Sequence, residues 1–163
     1  MAAQNEGVER DFRIISLDYS RYFIEIDDQT RGELLLMHVP IKVFEKPSPP
    51  GTQSDVPQFR VLTQSVVSFV NYGRRGSWQG ASPGELKFVD VTRYVVHETE
   101  HAPWNEIQVL GRPEGFIIRL RVLLTKLEMA ESAYNQFGDP IFRVGWQLIL
   151  SVHKPSGISA DLR

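Results

Sequence analysis

Cysteine is absent from the 163-residue chain. Disulfide scaffolds, thiolate zinc sites, iron–sulfur clusters and cysteine nucleophiles are therefore excluded, and any bound metal would need histidine and carboxylate ligands. A long apolar run is missing as well. The longest, 34–44, is interrupted by His38, Pro40 and Lys42, and it falls far short of the roughly 20 residues that cross a bilayer as a helix. Neither sign of charge dominates: eighteen basic against twenty acidic residues leave a net charge of −2 and a pI near 6.1. That balance argues against coating nucleic acid through bulk charge, and no block is charged enough to act as a tail. The first seven residues lack both the basic and apolar regions of a secretory signal and the arginine-rich character of a transit peptide, so an intracellular, soluble protein is expected. Neither the Gly-x-Gly-x-x-Gly fingerprint nor the P-loop pattern occurs, which removes the commonest nucleotide-binding routes.

What is present is a composition close to the globular average, 42% hydrophobic and 23% charged, in a length that suits one domain with its own core. Tyr22, Ile24 and Ile26 alternate with polar residues ahead of a turn-rich 27–32, and Leu35, Met37, Val39, Ile41 and Val43 share one face of the returning strand. Pro40 cannot donate to a ladder, so it places that strand at an edge or marks a bulge. A strand is read over 59–72, with Phe59, Val61, Val67 and Phe69 on one face and Leu62, Val66 and Val70 on the other. Further strands are read over 86–97 and from Phe116 to Val122. Leu123, Leu127, Ala130, Tyr134 and Phe137 recur at helical spacing, and Gly138 with Asp139-Pro140 supplies a stop, so an amphipathic helix is predicted over 123–137. Phe142, Val144, Trp146, Leu148, Leu150 and Val152 then alternate as a final strand. Together these predict an α+β fold, mainly antiparallel β in a sandwich or sheet of about six to eight strands, with the one helix packed on the sheet. The expected organisation is a flexible N-terminus at 1–11, a single β-rich domain over 12–155 and a tail at 156–163. A proline-rich surface loop at 46–57 and a glycine/arginine loop at 73–85 interrupt the domain.

Two short motifs look catalytic. His97-Glu98-Thr99-Glu100-His101 fits His-Glu-x-x-His, which on a helix puts two imidazoles on one face to hold Zn²⁺ beside a glutamate that activates bound water. Over these five positions the chain resembles the zincin metalloproteases, and that resemblance implies His97 and His101 as metal ligands and Glu98 as general base. The residues feeding the motif have strand chemistry, however, and on a strand positions four apart lie about 13 Å apart, too far for two bonds of ~2.1 Å to one zinc. Pro103 follows two residues later, and the metzincin extension is replaced by Ala102-Pro103-Trp104-Asn105. Gly80-Ala81-Ser82-Pro83-Gly84 resembles the nucleophile elbow of the α/β-hydrolases. There the residue after the serine donates its N–H to the oxyanion, and here that residue is Pro83, which has none.

A third segment carries contact chemistry. Tyr72, Arg74, Arg75 and Trp78 stand among glycines, the arrangement of arginine forks and aromatic faces that binds protein partners or single-stranded nucleic acid. We read the chain as a non-enzymatic binding or assembly module, with protein–protein contact or self-association through these four residues and without a cofactor. The alternatives are a small zinc hydrolase using His97, Glu98 and His101, and a single-stranded RNA-binding module centred on Arg74 and Arg75. The order of Leu123 to Phe137, Gly138 and Ile141 to Val152 is similar to that in matrix proteins of negative-strand RNA viruses, which implies a structural, assembling role. Their basic N-terminal arm is missing, and Pro49-Pro50-Gly51-Thr52 lacks the tyrosine of the Pro-Pro-x-Tyr motif. Elemental analysis of the purified chain separates the first two classes: the binding module is expected to carry no stoichiometric zinc, whereas the hydrolase would hold one zinc that His97→Ala removes.

Overall fold

A strand can bury one face when large apolar residues fall at every second position, and 31–45 meets that condition. In the computed structural model, which describes residues 7–48, 50–51, 55–78, 80, 83–96 and 102–155, this segment is strand β4. To number the first five strands in chain order, β1 is Val8–Arg10, β2 Phe12–Ser16, β3 Ser20–Glu25, β4 Arg31–Glu45 and β5 Phe59–Asn71. Leu34, Leu36, His38 and Val43 of β4 are buried. The β3–β4 hairpin runs in register from Ser20↔Leu36 to Glu25↔Arg31, and the Asp27 carboxylate closes its turn by accepting the N–H groups of Gln29 and Thr30, each at 2.7 Å. β5 pairs along one whole side of β4, while β1 and β3 share the other side at its two ends. The strand from Val8 to Arg10 thus lies inside the segment read as a flexible N-terminus.

β4 is central, so Pro40 marks the bulge and not an edge. Bonds from Tyr72 N–H to Arg31 O and from Ile26 N–H to Thr30 O set the phase of the ladders ahead of the bulge and turn the even-numbered backbone groups of β4, as far as Pro40, away from β5. The amide that proline lacks would have pointed between β3 and β1, where no described strand lies. Ile41 is the extra residue, between Pro40↔Thr63 and Lys42↔Leu62.

The second sheet repeats this plan. Its central strand, β9 (Ile117–Tyr134), has β10 (Pro140–His153) along one side, and β8 (Asn105–Val109) and β6 (Phe88–Asp90) along the other, with β2 outside β8. The strand read over 86–97 is broken in two, because β6 belongs to this sheet while β7 (Val95–Val96) pairs with β3 in the first. The chain crosses between sheets through a 3-10 turn at Thr92–Tyr94. The Thr92 hydroxyl anchors that turn, accepting from Leu127 N–H at 2.9 Å.

The predicted helix over 123–137 is not formed: 117–134 is one strand, followed by a turn. Two irregularities produced the misleading period. Leu124 pairs with Trp146 and Lys126 with Gly145, leaving Thr125 as a bulge, and a second shift falls between Met129↔Phe142 and Tyr134↔Pro140. Core-facing positions therefore run Ile118, Leu120, Val122, Leu124, Leu127 and Met129, and the bulge at Thr125 turns one spacing of two into a spacing of three. Leu, Lys, Glu, Met and Ala favour helix locally, but pairing on both sides and burial against the other sheet outweigh propensities of a few tenths of a kcal/mol per residue. The similarity to viral matrix proteins rested on that helix and goes no further. The fold is mainly antiparallel β, two five-stranded sheets among the described residues, and no described helix is long and apolar enough to cross a membrane.

The sheets bury a core between them. Val43, Phe59, Val61, Ile107, Val109, Phe116, Ile118 and Leu120 cluster at one end, and Tyr22, Ile24, Leu34, Leu36, Val91, Val122 and Leu127 at the other, with Leu148 packed against both. Glu45 of β4 ties the layers at the rim, accepting from Arg10 Nε at 2.8 Å and from the Arg112 guanidinium of the β8–β9 connection. A strand at 123–134 makes a prediction that a helical stripe would not. Leu127→Ala, at a fully buried site, should cost about 2–5 kcal/mol in urea unfolding, whereas Leu123→Ala, half-buried on the outer face, should cost about 1 kcal/mol or less.

Candidate binding surface at one end of the sandwich

The loop after β5 is held from both sides. Tyr72 N–H and Gly73 N–H donate to Arg31 O at 2.9 and 3.2 Å, and Arg74 N–H donates to Gln29 O at 2.9 Å, which fastens the first half to the β3–β4 hairpin. Gly76 N–H donates to Gly138 O at 2.9 Å, fastening the second half to the β9–β10 turn. Gly76 must be glycine, because a Cβ there would sit 2.2 Å from the Tyr134 ring. The turn is itself braced by Asn135, whose Oδ1 accepts the N–H groups of Phe137 and Asp139, and Asp139 Oδ1 accepts from Asn71 Nδ2 at 3.0 Å.

These anchors turn a linear motif into a surface. Trp78 lines a cleft of about 400 Å³ with Leu86, Tyr134, Phe137 and Ile141, and the amide side chains of Asn135 and Gln136 stand at its wall. Trp78 and Phe137 are each 64% exposed, and Tyr72 is exposed on the same loop. Arg74 and Arg75 are exposed and form no ion pair with the described residues. Of the four residues expected to bind, Trp78 lines the cleft, Arg75 packs its Cβ near Gly138, and Tyr72 and Arg74 lie on the hairpin side. The helical spacing predicts Tyr134 and Phe137 on one helix face, whereas Tyr134 ends a strand and Phe137 lies in the turn after it. The signal that could have placed them was the turn composition of Asn135-Gln136-Phe137-Gly138-Asp139-Pro140.

His97, Glu98 and His101 lie outside the described residues, as does Ser82. The residues just before the histidine motif, Val95 and Val96, are strand. Among the described residues no group of three or more His, Cys, Asp or Glu is placed to hold a metal ion. A cation–aromatic contact lies on the outer face of the second sheet. The Arg121 guanidinium stacks 4.4 Å from the Trp104 ring centroid, with its Nε buried and without a hydrogen-bond partner among the described residues, and Arg119 bonds Glu106 at 2.9 Å. No protein family, curated protein or solved structure matches the chain.

His38 is the one buried histidine among the described residues. Its Nδ1 lies 2.8 Å from Thr63 Oγ1, its ring meets Trp146 edge-on with centroids 3.9 Å apart, and its Nε2 has no hydrogen-bond partner among the described residues. Burial pushes the imidazole below its ordinary value of 6.5. The folded chain then binds this proton more weakly than the unfolded chain, so stability is full above about pH 6.5 and is lost as pH falls from there toward the lowered folded-state value. Urea midpoints should be flat above that point and decline below it, and His38→Gln should flatten the decline.

Proposed function

We propose that the chain is a non-enzymatic binding module whose contact surface is the cleft between the 72–78 loop and the 134–137 turn. Its partner would be a protein segment presenting carboxylates beside an apolar side chain. The observation that supports this reading is that two exposed rings, Trp78 and Phe137, line one cleft, beside a loop that also carries Arg74 and Arg75, which have no carboxylate partner among the described residues. Exposed aromatic area of this kind is what association covers, and Trp, Tyr and Arg supply most of the binding energy at protein interfaces. Arginine forks take carboxylates in bidentate geometry, and the amides of Asn135 and Gln136 offer hydrogen bonds at the wall. No catalytic residue is assigned.

Selection from a displayed peptide library tests this. Enriched peptides should combine Asp or Glu with Leu, Phe or Trp, and their affinity should fall by at least about tenfold in Trp78→Ala and in Arg74→Glu/Arg75→Glu. Enrichment without carboxylates, or affinity unchanged in both variants, would sink the reading. Tight, steeply salt-dependent binding of a single-stranded RNA oligonucleotide that Arg74→Ala/Arg75→Ala abolishes would replace it with the nucleic-acid alternative.

A further inference from the structure

A strand at a sheet edge carries N–H and C=O groups that pair with water or with another strand. Among the described residues β5 pairs only with β4 and β10 only with β9. The two edges lie on the same rim, where Phe69 meets Phe142 with ring centroids 4.9 Å apart. Protein edges are usually blocked by a charge, a proline or a bulge. β10 has such blocks: Pro140 starts it, Arg143 follows, and its ladder is irregular at Pro140/Phe142 and Gly145/Trp146. β5 has none. Val61 to Asn71 are consecutive uncharged residues, and the irregularity in the β4–β5 ladder lies on β4 at Ile41. Val67 and Val70 are 45% and 39% exposed along this edge.

The direction of the free backbone groups follows from two bonds. Lys46 N–H donates to Gln58 O and Tyr72 N–H to Arg31 O, so the even-numbered groups of β5 face β4 and the odd-numbered ones, from Phe59 to Asn71, face outward. We propose that β5 pairs antiparallel with β5 of a second copy about a two-fold axis at Ser65, joining two sandwiches through one continuous sheet. Ser65 is the middle of the thirteen-residue strand and is itself outward-facing, so full overlap and the bond phase agree on the same register. In that register Ser65 opposes Ser65, Thr63 opposes Val67, Val61 opposes Phe69 and Phe59 opposes Asn71. These are hydroxyl, β-branched and aromatic pairings of the kind that stabilise neighbouring strands. Arg60, the strand's one charge, opposes Val70, so no like charges meet. A second copy is the occupant that this self-complementarity fits, and an isologous two-fold contact closes after two copies. The edge adjoins the cleft, since Asn135 and Ile141 line both the cleft and a neighbouring pocket with Val67, Ser68 and Phe69, but Ser65 lies outside the cleft lining, so the two proposals are tested by different variants.

Sedimentation equilibrium of the full chain, with hydrogen exchange read amide by amide, tests this. The wild type should dimerise and stop at two copies. Ser65→Lys and Ser65→Glu each place like charges on the axis and should weaken the dimer by at least about tenfold, while an equimolar mixture of the two should restore it as a heterodimer. Amides of Val61, Thr63, Ser65, Val67, Phe69 and Asn71 should be slow in the dimer and fast in either variant alone, with the even-numbered amides slow throughout. A wild type that stays monomeric at hundreds of micromolar, open-ended growth, or a mixture no tighter than its components would overturn the proposal. So would odd-numbered amides protected in a monomer, which would show that another segment of the same chain covers β5.

Discussion

The constraint on which the rest depends is the burial of β4 against β9. Each is the long central strand of its sheet, and each presents a row of fully buried side chains to the other layer: Leu34, Leu36 and Val43 from one, Ile118, Leu120, Val122 and Leu127 from the other. At about 1.5–3 kcal/mol per buried aliphatic side chain, this row outweighs any single hydrogen bond or ion pair in the molecule. The shorter strands are placed by it. β1 and β3 share one flank of β4, β8 and β6 share one flank of β9, and β5 and β10 take the remaining flanks.

Strands this long twist away from a flat partner unless they are broken locally, and bulges do that here. The break at Ile41 coincides with Pro40, whose missing donor points where no described strand lies. The break at Thr125 lies opposite Gly145, where a Cβ would come 3.2 Å from the Lys126 side chain. Residues that look like defects in a strand pattern are therefore where the two sheets are fitted to each other. His38 belongs to the same fitting, a polar group carried on the inward face of β4 and held between Thr63 and Trp146.

What the core does not use is left at the rim and at one end. Aromatic rings are absorbed where the layers meet, as with Phe59 and Phe116 or Phe69 and Phe142, yet Trp78 and Phe137 stay exposed, and Arg74 and Arg75 of the Trp78 loop form no ion pair among the described residues. Along the rim, β5 keeps its outward amides free of any charge that would repel a neighbour. Both features use the chemistry of contact, and both sit on elements already fixed by well-bonded neighbours, so the cost of ordering them on binding is small.

Much of the strand content was legible in the residues. The hairpin of Tyr22, Ile24 and Leu34, the faces of β5 and the alternation of β10 follow from a period of two that is local and needs no knowledge of partners. Pro40 announced an edge or a bulge for the same reason, because a missing donor is a property of the residue, and the pairing of β4 on both sides decided for the bulge. The stretch from Leu123 to Phe137 was misread because a bulged strand and a helix can show the same apolar spacing, and only pairing with β8, β6 and β10 distinguishes them. That pairing also decided where Val91 hands the chain from one sheet to the other. The sequence by itself determined that the protein is built from alternating strands without cysteine, excess charge or a membrane-length apolar run, and that Tyr72, Arg74, Arg75 and Trp78 share one glycine-rich loop. Only the tertiary structure decided which strand edges remain open and which aromatic residues stand beside Trp78. Edges and clefts are made by segments far apart in the chain, and no local pattern encodes their meeting.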